Sequence, residues 1–237
     1  MKICIDMDGV LCDFVESANK RAKEIWGIEI NKSDVESCSF ARAVQNIGVK
    51  LTRADIYKEI MAPGLFSKLE PLPGAIEAVK QLIKDGHEIT ILTKALVIAR
   101  DSHGRRIVND HVLSEKLDWL AEHFGDIRYS VIMTSSMKDK HLVNAHVLVD
   151  DDPRALDHPS AITICVAQPW NKRYRNDLGS MQTTIYHMSE LPEKIEFVER
   201  ILRTKNELEE DIFSQMEKEV GINESKTIKP GSSDSSD

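Results

Sequence analysis

Aspartates carry the chemical pattern of this sequence. Asp6 and Asp8 flank a single methionine in ICIDMDGVLCDF, directly after the apolar run Lys2–Ile5, and Asp150, Asp151 and Asp152 follow another apolar run in VLVDDDP. Thr93 ends a third run in ITILTK, and Lys138-Asp139-Lys140 lies just past a fourth. Each has an ordinary reading by itself. A D-x-D after a strand makes a polar turn, threonine ends many strands, and Lys140 alone belongs on a solvated surface. Three aspartates before Pro153 suit a helix N-terminus. A calcium loop of the D-x-[DN]-x-[DN]-G kind does not fit, because the third ligand, the flanking helices and the closing glutamate are missing. The joint occurrence is what points to chemistry. Gathered carboxylates repel one another, so a fold that collects them generally supplies a cation. Oxygen-only ligands suit Mg²⁺, which takes one or two carboxylates together with water and substrate phosphate.

The elements that must position these groups are legible as short apolar runs. Lys2–Ile5, Glu88–Leu92, Tyr129–Met133, His146–Val149 and Ala161–Val166 are rich in Ile and Val and lack strict alternation, as strands of a parallel sheet covered on both faces do. Helical patterns separate them. PLPGAIEAVKQLIKDG places Ile76, Val79, Leu82 and Ile83 on one side, opens at Pro73-Gly74 and stops at Gly86. Leu113, Leu117, Leu120 and Phe124 recur at helical spacing in a second segment. Alternating strands and helices predict an α/β fold, a doubly wound parallel sheet, with ligands expected beyond the carboxyl ends of the strands. Four such ends deliver Asp6 and Asp8, Thr93, Lys140, and Asp150–Asp152 to one edge.

The first two strands are too far apart for one crossover. Residues 15–70, with helical pieces at Glu16–Trp26 and Arg53–Met61, are expected to form a small helical cap inserted in a core made of 1–14 and 71–190. Residues 191–222 read as a charged C-terminal helical segment, and 223–237, ending KPGSSDSSD, as a disordered tail.

Composition excludes several classes. A net charge of −8 argues against a nucleic-acid polymer as partner, since neutralising phosphates takes an excess of Lys and Arg. No apolar stretch approaches the ~20 residues that span a bilayer, and acidic residues interrupt the N-terminal apolar run, so neither a membrane partner nor a signal peptide is expected. The expected location is cytoplasmic. Cys4, Cys12, Cys38 and Cys165 form no C-x-x-C pair and read as free thiols, and the histidines lack zinc-site spacing. Oligomeric state is not legible, and a homodimer is left open.

The segments DMDGVLCDF, LFSKLEPLPGAIEAV, EKLDWLAEHFG, KDKHLV and VLVDDDP occur in the order that resembles the haloacid dehalogenase superfamily, and within it the 5′(3′)-deoxyribonucleotidase family, over roughly residues 2–170. Pro169-Trp170-Asn171 is similar to bacterial and phage relatives. The resemblance implies a Mg²⁺-dependent phosphatase that hydrolyses nucleoside 5′-monophosphates through an aspartyl-phosphate. Asp6 would be the nucleophile and Asp8 the general acid and base. Thr93 and Lys140 would hold the phosphoryl oxygens. Mg²⁺ would sit on Asp6, the main-chain carbonyl of Asp8, and Asp151, with Asp150 beside them. Phe14 matches an aromatic packed near the substrate base, against the alternative of a core residue opening a helix. Lys116 matches a lysine near the phosphate, against a solvated helix face. Two departures lie near the substrate entrance. Lys94 stands where the family tends to have a small hydroxyl residue and would act on the phosphate side, and ALVIARDSHGRRIVNDHV is longer than expected. The competing readings are a phosphatase for another small monoester, such as a sugar phosphate, and a catalytically silent binding protein.

Overall fold

A computed structural model describes residues 1–36, 39–95, 98–100, 103–125, 127–177, 179 and 181–224. Six parallel strands form one sheet: β1 (Lys2–Ile5), β2 (Glu88–Lys94), β5 (Ser130–Thr134), β6 (Val147–Asp150), β7 (Ile162–Val166) and β8 (Gln182–Ile185), in the order β5-β2-β1-β6-β7-β8. The chain thus winds outward from β1 in one direction through β2 to β5, then returns to the other side of β1 and winds through β6 to β8. That is the doubly wound arrangement expected. Its switch point lies between β1 and β6, the strands followed by Asp6-Met7-Asp8 and Asp150-Asp151-Asp152.

Both faces of the middle strands are covered, which explains their continuous apolar sequences. Cys4, Leu92 and Leu148 pack with Ala145, Ala155 and Ala161 in one cluster. The alternate residues Ile3, Ile5, Val147 and Val149 are fully buried too. Each such Ile contributes about 1.5–3 kcal/mol relative to exposure.

The crossovers are α4 (Ala75–Lys84), α5 (His111–Phe124) and the short α6 (Pro153–Leu156) and α7 (Lys172–Arg175). Helix α4 opens at Gly74, as expected, and buries Val79 and Leu82, with Ile76 and Ile83 only partly covered. Helix α5 differs from the expected face. Leu120 and Phe124 are buried, but Leu113 and Leu117 are 40% and 44% exposed, while Val112, Glu115, Lys116 and Trp119 are buried. A helical wheel drawn on apolar residues misses this face because its polar members are hydrogen-bonded inside.

Among the described residues three helices lie between β1 and α4: α1 (Phe14–Trp26), α2 (Phe40–Asn46) and α3 (Arg53–Ile60). Asp13 caps α1 by accepting from Glu16 N at 3.1 Å, and Gly27 ends it in a left-handed conformation. The two connections of this segment to the sheet lie side by side: Asp13 N donates to Glu70 O at 2.9 Å and Leu72 N to Leu11 O at 2.9 Å. The long stretch after β2 folds in part as an antiparallel hairpin of β3 (Ile98–Arg100) and β4 (Arg106–Val108).

Met1–Lys194 is one compact unit, and the chain from Ile195 on is a second. Helix α8 (Leu191–Glu224) runs further than the expected boundary of 222. Most of the tail expected at 223–237, and Cys38, lie outside the described residues; Cys4, Cys12 and Cys165 are buried free thiols. Among the described residues no helix is long and apolar enough to cross a membrane.

Candidate active site

Asp6 follows β1 with its N–H on Val149 O at 2.9 Å, so the ladder between β1 and β6 fixes its backbone. The chain then turns tightly, with Val10, Leu11 and Cys12 N–H all directed at Met7 O. Gly9 is required in this turn. Its φ is +81°, and a Cβ there would stand 2.7 Å from Asp151 Oδ2. Gln168 Nε2 donates to Gly9 O at 2.8 Å from the far side.

Two buried lysines organise the carboxylates. Lys140, on a 3-10 turn after β5, places Nζ 2.6 Å from Asp150 Oδ2 and 3.0 Å from Asp6 Oδ1. The second contact is an ion pair without hydrogen-bond geometry, so Asp6 Oδ1 is buried with no hydrogen-bond partner. Lys116 is fully buried rather than on a solvated face. Its Nζ donates to Asp8 Oδ2 at 2.7 Å, Thr93 Oγ1 at 2.8 Å and Lys94 O at 3.0 Å. Those three acceptors use all three N–H groups of the ammonium.

Asp6, Asp150 and Asp151 can each bring a carboxylate oxygen to within 4.8 Å of the others. Asp8 points instead at Lys116. Asp150 spends Oδ2 on Lys140 and Oδ1 on Asp152 N. Asp151 accepts from Trp170 Nε1 through Oδ2 alone, at 2.6 Å, and its main-chain carbonyl is held by Asn171 Nδ2 at 2.9 Å. Asp152 is the N-cap of α6 and pairs with Arg154, so the helix-start reading holds for that residue.

Burial dominates the electrostatics. Asp8 is raised above the ordinary carboxylate range by desolvation, which Lys116 partly offsets and Asp6 reinforces. Asp151 is raised by burial, then by Asp150 and Asp6. Burial acts against the charged form of Lys140, but Asp150 and Asp6 outweigh it and hold the ammonium protonated.

A cleft opens over these groups. The sheet side contributes Asp6, Asp8, Gly9, Met137, Asp151, Asp152 and Trp170, and the inserted segment with its entry contributes Phe14, Val15, Val35, Phe40 and Tyr57. Phe14 stacks on Phe66, with centroids 5.8 Å apart. Lys94 takes part through its carbonyl, and among the described residues its ammonium makes no ion pair; burial lowers its pKa, with Arg154 adding to the effect. Trp170, Gln168, Asn171 and Phe66 were not singled out for a role from sequence. The PWN motif carried a signal for Trp170 and Asn171, and Phe66 falls within the LFSKLEPLPGAIEAV segment.

The family described as 5′ nucleotidase, deoxy (pyrimidine), cytosolic type C, matches residues 1–181. The mitochondrial 5′(3′)-deoxyribonucleotidase of Mus musculus is 28% identical over 171 residues, covering 68% of this chain and 70% of the mouse protein. The cytosolic type of Homo sapiens is 28% identical over 155 residues, covering 64% and 70%. Among solved structures, CbbY from Rhodobacter sphaeroides superposes with a TM-score of 0.50 at 12% identity, covering 80% of this chain and 95% of that one. A phosphonoacetaldehyde hydrolase-like protein from Oleispira antarctica gives 0.50 at 14%, covering 84% and 92%. These two show a shared fold.

Proposed function

As a member of the deoxy-type 5′ nucleotidase family, cytosolic type C, the chain is a phosphoric monoester hydrolase, and we propose that its substrates are deoxyribonucleoside monophosphates. The observation that carries the reading is the separation of Asp6 and Asp8 onto two different lysines at one sheet edge, under a cleft with an aromatic rim. Two carboxylates two residues apart thereby receive distinct surroundings, as distinct roles require.

Asp6 attacks phosphorus, forming a P–O bond as the bond to the nucleoside oxygen breaks. Asp8 gives its proton to that departing oxygen. It then takes a proton from the water that attacks the aspartyl-phosphate, releasing phosphate and restoring Asp6. Lys140 faces the phosphoryl oxygens beside Asp6. Thr93 accepts from Lys116 through its oxygen, which leaves its own hydroxyl proton to donate. Lys116, with no N–H to spare, positions Asp8 and Thr93.

The residues fit a divalent cation. Asp6 Oδ1 is a buried anionic oxygen lacking a hydrogen bond, and Asp150 and Asp151 stand within reach of it. Asp6, Asp151 and the Asp8 carbonyl would hold Mg²⁺, Asp151 through its open Oδ1, with Asp150 behind orienting Lys140. When bound, the ion supplies positive charge that offsets the phosphoryl oxygens. Residues 15–70 act as the cap: their side chains form one wall of the cleft and exclude water, and Phe14 at the base of that wall meets the nucleobase.

The test is turnover of a panel of deoxyribonucleotides, ribonucleotides, sugar phosphates and p-nitrophenyl phosphate, with Mg²⁺ or excess chelator. Preference for deoxyribonucleotides, lost in chelator and in Asp6→Asn, is expected. A higher kcat/KM for sugar phosphates would overturn the substrate reading, and an active Asp6→Asn would overturn the nucleophile.

A further inference from the structure

Between α3 and α4 the chain returns from the inserted segment to the sheet as a strap, residues 61–72, irregular apart from one 3-10 turn at Phe66–Lys68. Irregular backbone cannot satisfy its own polar groups, so its partners can be traced one by one. His111 Nε2 lies 2.7 Å from Met61 O and, facing a carbonyl, donates to it. Ala62 O accepts from Arg21 of α1 at 2.8 Å. The Glu115 carboxylate accepts from Gly64 N at 2.7 Å, Phe66 N at 2.9 Å and Ser67 N at 3.4 Å. Trp119 Nε1 donates to Leu69 O at 2.7 Å. His111, Glu115 and Trp119 are spaced four apart, so a single face of α5 grips the strap at three successive turns. This is the polar face that replaced the expected apolar one.

The residue after Glu115 is Lys116, which holds Asp8 and Thr93. Among the strap residues that Glu115 holds is Phe66, whose N–H donates to Oε2 at 2.9 Å. Its ring stacks on Phe14 and lies 5.2 Å from the Lys116 ammonium. One helix therefore sets the catalytic carboxylate with one side chain and, with its neighbour, the buried ring that backs Phe14 at the cleft. We infer that Glu115 is a positioning residue for substrate specificity: its carboxylate fixes the strap, the strap fixes Phe66, and Phe66 fixes the Phe14 face offered to a nucleobase. This rests on the nucleotide reading above. It goes further in assigning a part in nucleobase recognition to a buried acidic residue that touches no substrate.

Glu115→Gln keeps the volume but turns one acceptor oxygen into an amide that faces an N–H donor. Its KM for the preferred nucleotide should rise on the order of tenfold, within the range that loss of base stacking produces, with a much smaller change for p-nitrophenyl phosphate. Phe66→Leu should show the same split. In the double variant the two effects on nucleotide KM should fall well short of multiplying, since both act through one ring. Glu115→Asp, which retains the charge, serves if Glu115→Gln does not fold, and should show the same direction. Equal losses for both substrates, or multiplicative effects of folded Glu115 and Phe66 variants, would overturn the inference. A wild-type enzyme that ignores nucleotides would instead sink the nucleotide reading itself.

Discussion

Asp150 and Asp151 are adjacent in sequence yet differently occupied. Both oxygens of Asp150 already meet hydrogen-bond donors, whereas Asp151 Oδ1 does not. Mg²⁺ should therefore raise Tm of the wild-type protein by mass action. That increment should vanish in Asp151→Asn and survive, diminished, in Asp150→Asn, as thermal melts with and without the ion would read. The reverse ranking would move the direct ligand to Asp150. Gly9 is tied to the same carboxylate. Gly9→Ala costs about 1–2 kcal/mol for a left-handed non-glycine residue, and its methyl would also press on Asp151. The variant should fold with a lowered Tm but bind Mg²⁺ far more weakly, as titration calorimetry would show; unaltered metal affinity would mean that Asp151 moves aside freely. The aspartates themselves were legible in the sequence because they follow apolar runs. Lys116 was named only through the family resemblance, since nothing in a linear pattern distinguishes a lysine whose three protons are all claimed internally from one in water.

Strands covered on both faces announce themselves as unbroken Ile and Val, which is why β1, β2, β6 and β7 were readable to within a residue or two, while edge strand β5 is largely uncovered and was readable only from its Val-Ile-Met run. Edge strand β8, QTTI, is only partly buried and reads as polar loop. The β3–β4 hairpin lies within a segment that sequence marked merely as long, and α2 is too short to show a period. The face of α5 was misread for a reason that also makes it useful: its buried glutamate and lysine are satisfied by backbone and site groups that no pattern displays. The strands also carry thiols. Cys4 on β1 is pushed up to about 11 and Cys165 on β7 to about 12, burial being the first cause in each. The folded state then holds protons that the unfolded chain gives up near the ordinary value of 9.0. This contribution to stability is complete below that pH and is lost as pH rises through the two folded values. Tm should fall between about pH 9 and 11, less steeply when both cysteines are replaced by Ser or Ala. Iodoacetamide at pH 8 should label neither peptide until the protein is unfolded. Rapid native labelling of Cys4 or Cys165 would contradict their burial.

At the scale of the whole chain, every group assigned to the reaction lies between Asp6 and Asn171, within the unit that ends at Lys194. A chain shortened to end at Asn223 should retain wild-type turnover per folded molecule, and a large drop would assign the C-terminal residues a part in the site. The placement of β1 has another consequence, for the order of events during synthesis. Lys2 pairs with Glu88 and Ile3 with Val147, so the strand made first is flanked by two partners made much later. Long loops must close before the centre of the sheet exists, which slows folding and leaves an apolar strand waiting. Nascent chains that stop before residue 147 contain Asp6, Asp8, Thr93 and Lys140 but no partner for one side of β1. Protease resistance on stalled ribosomes should appear only once β6 and β7 have cleared the exit tunnel, and a chaperone that shields exposed strands should bind mainly before that length.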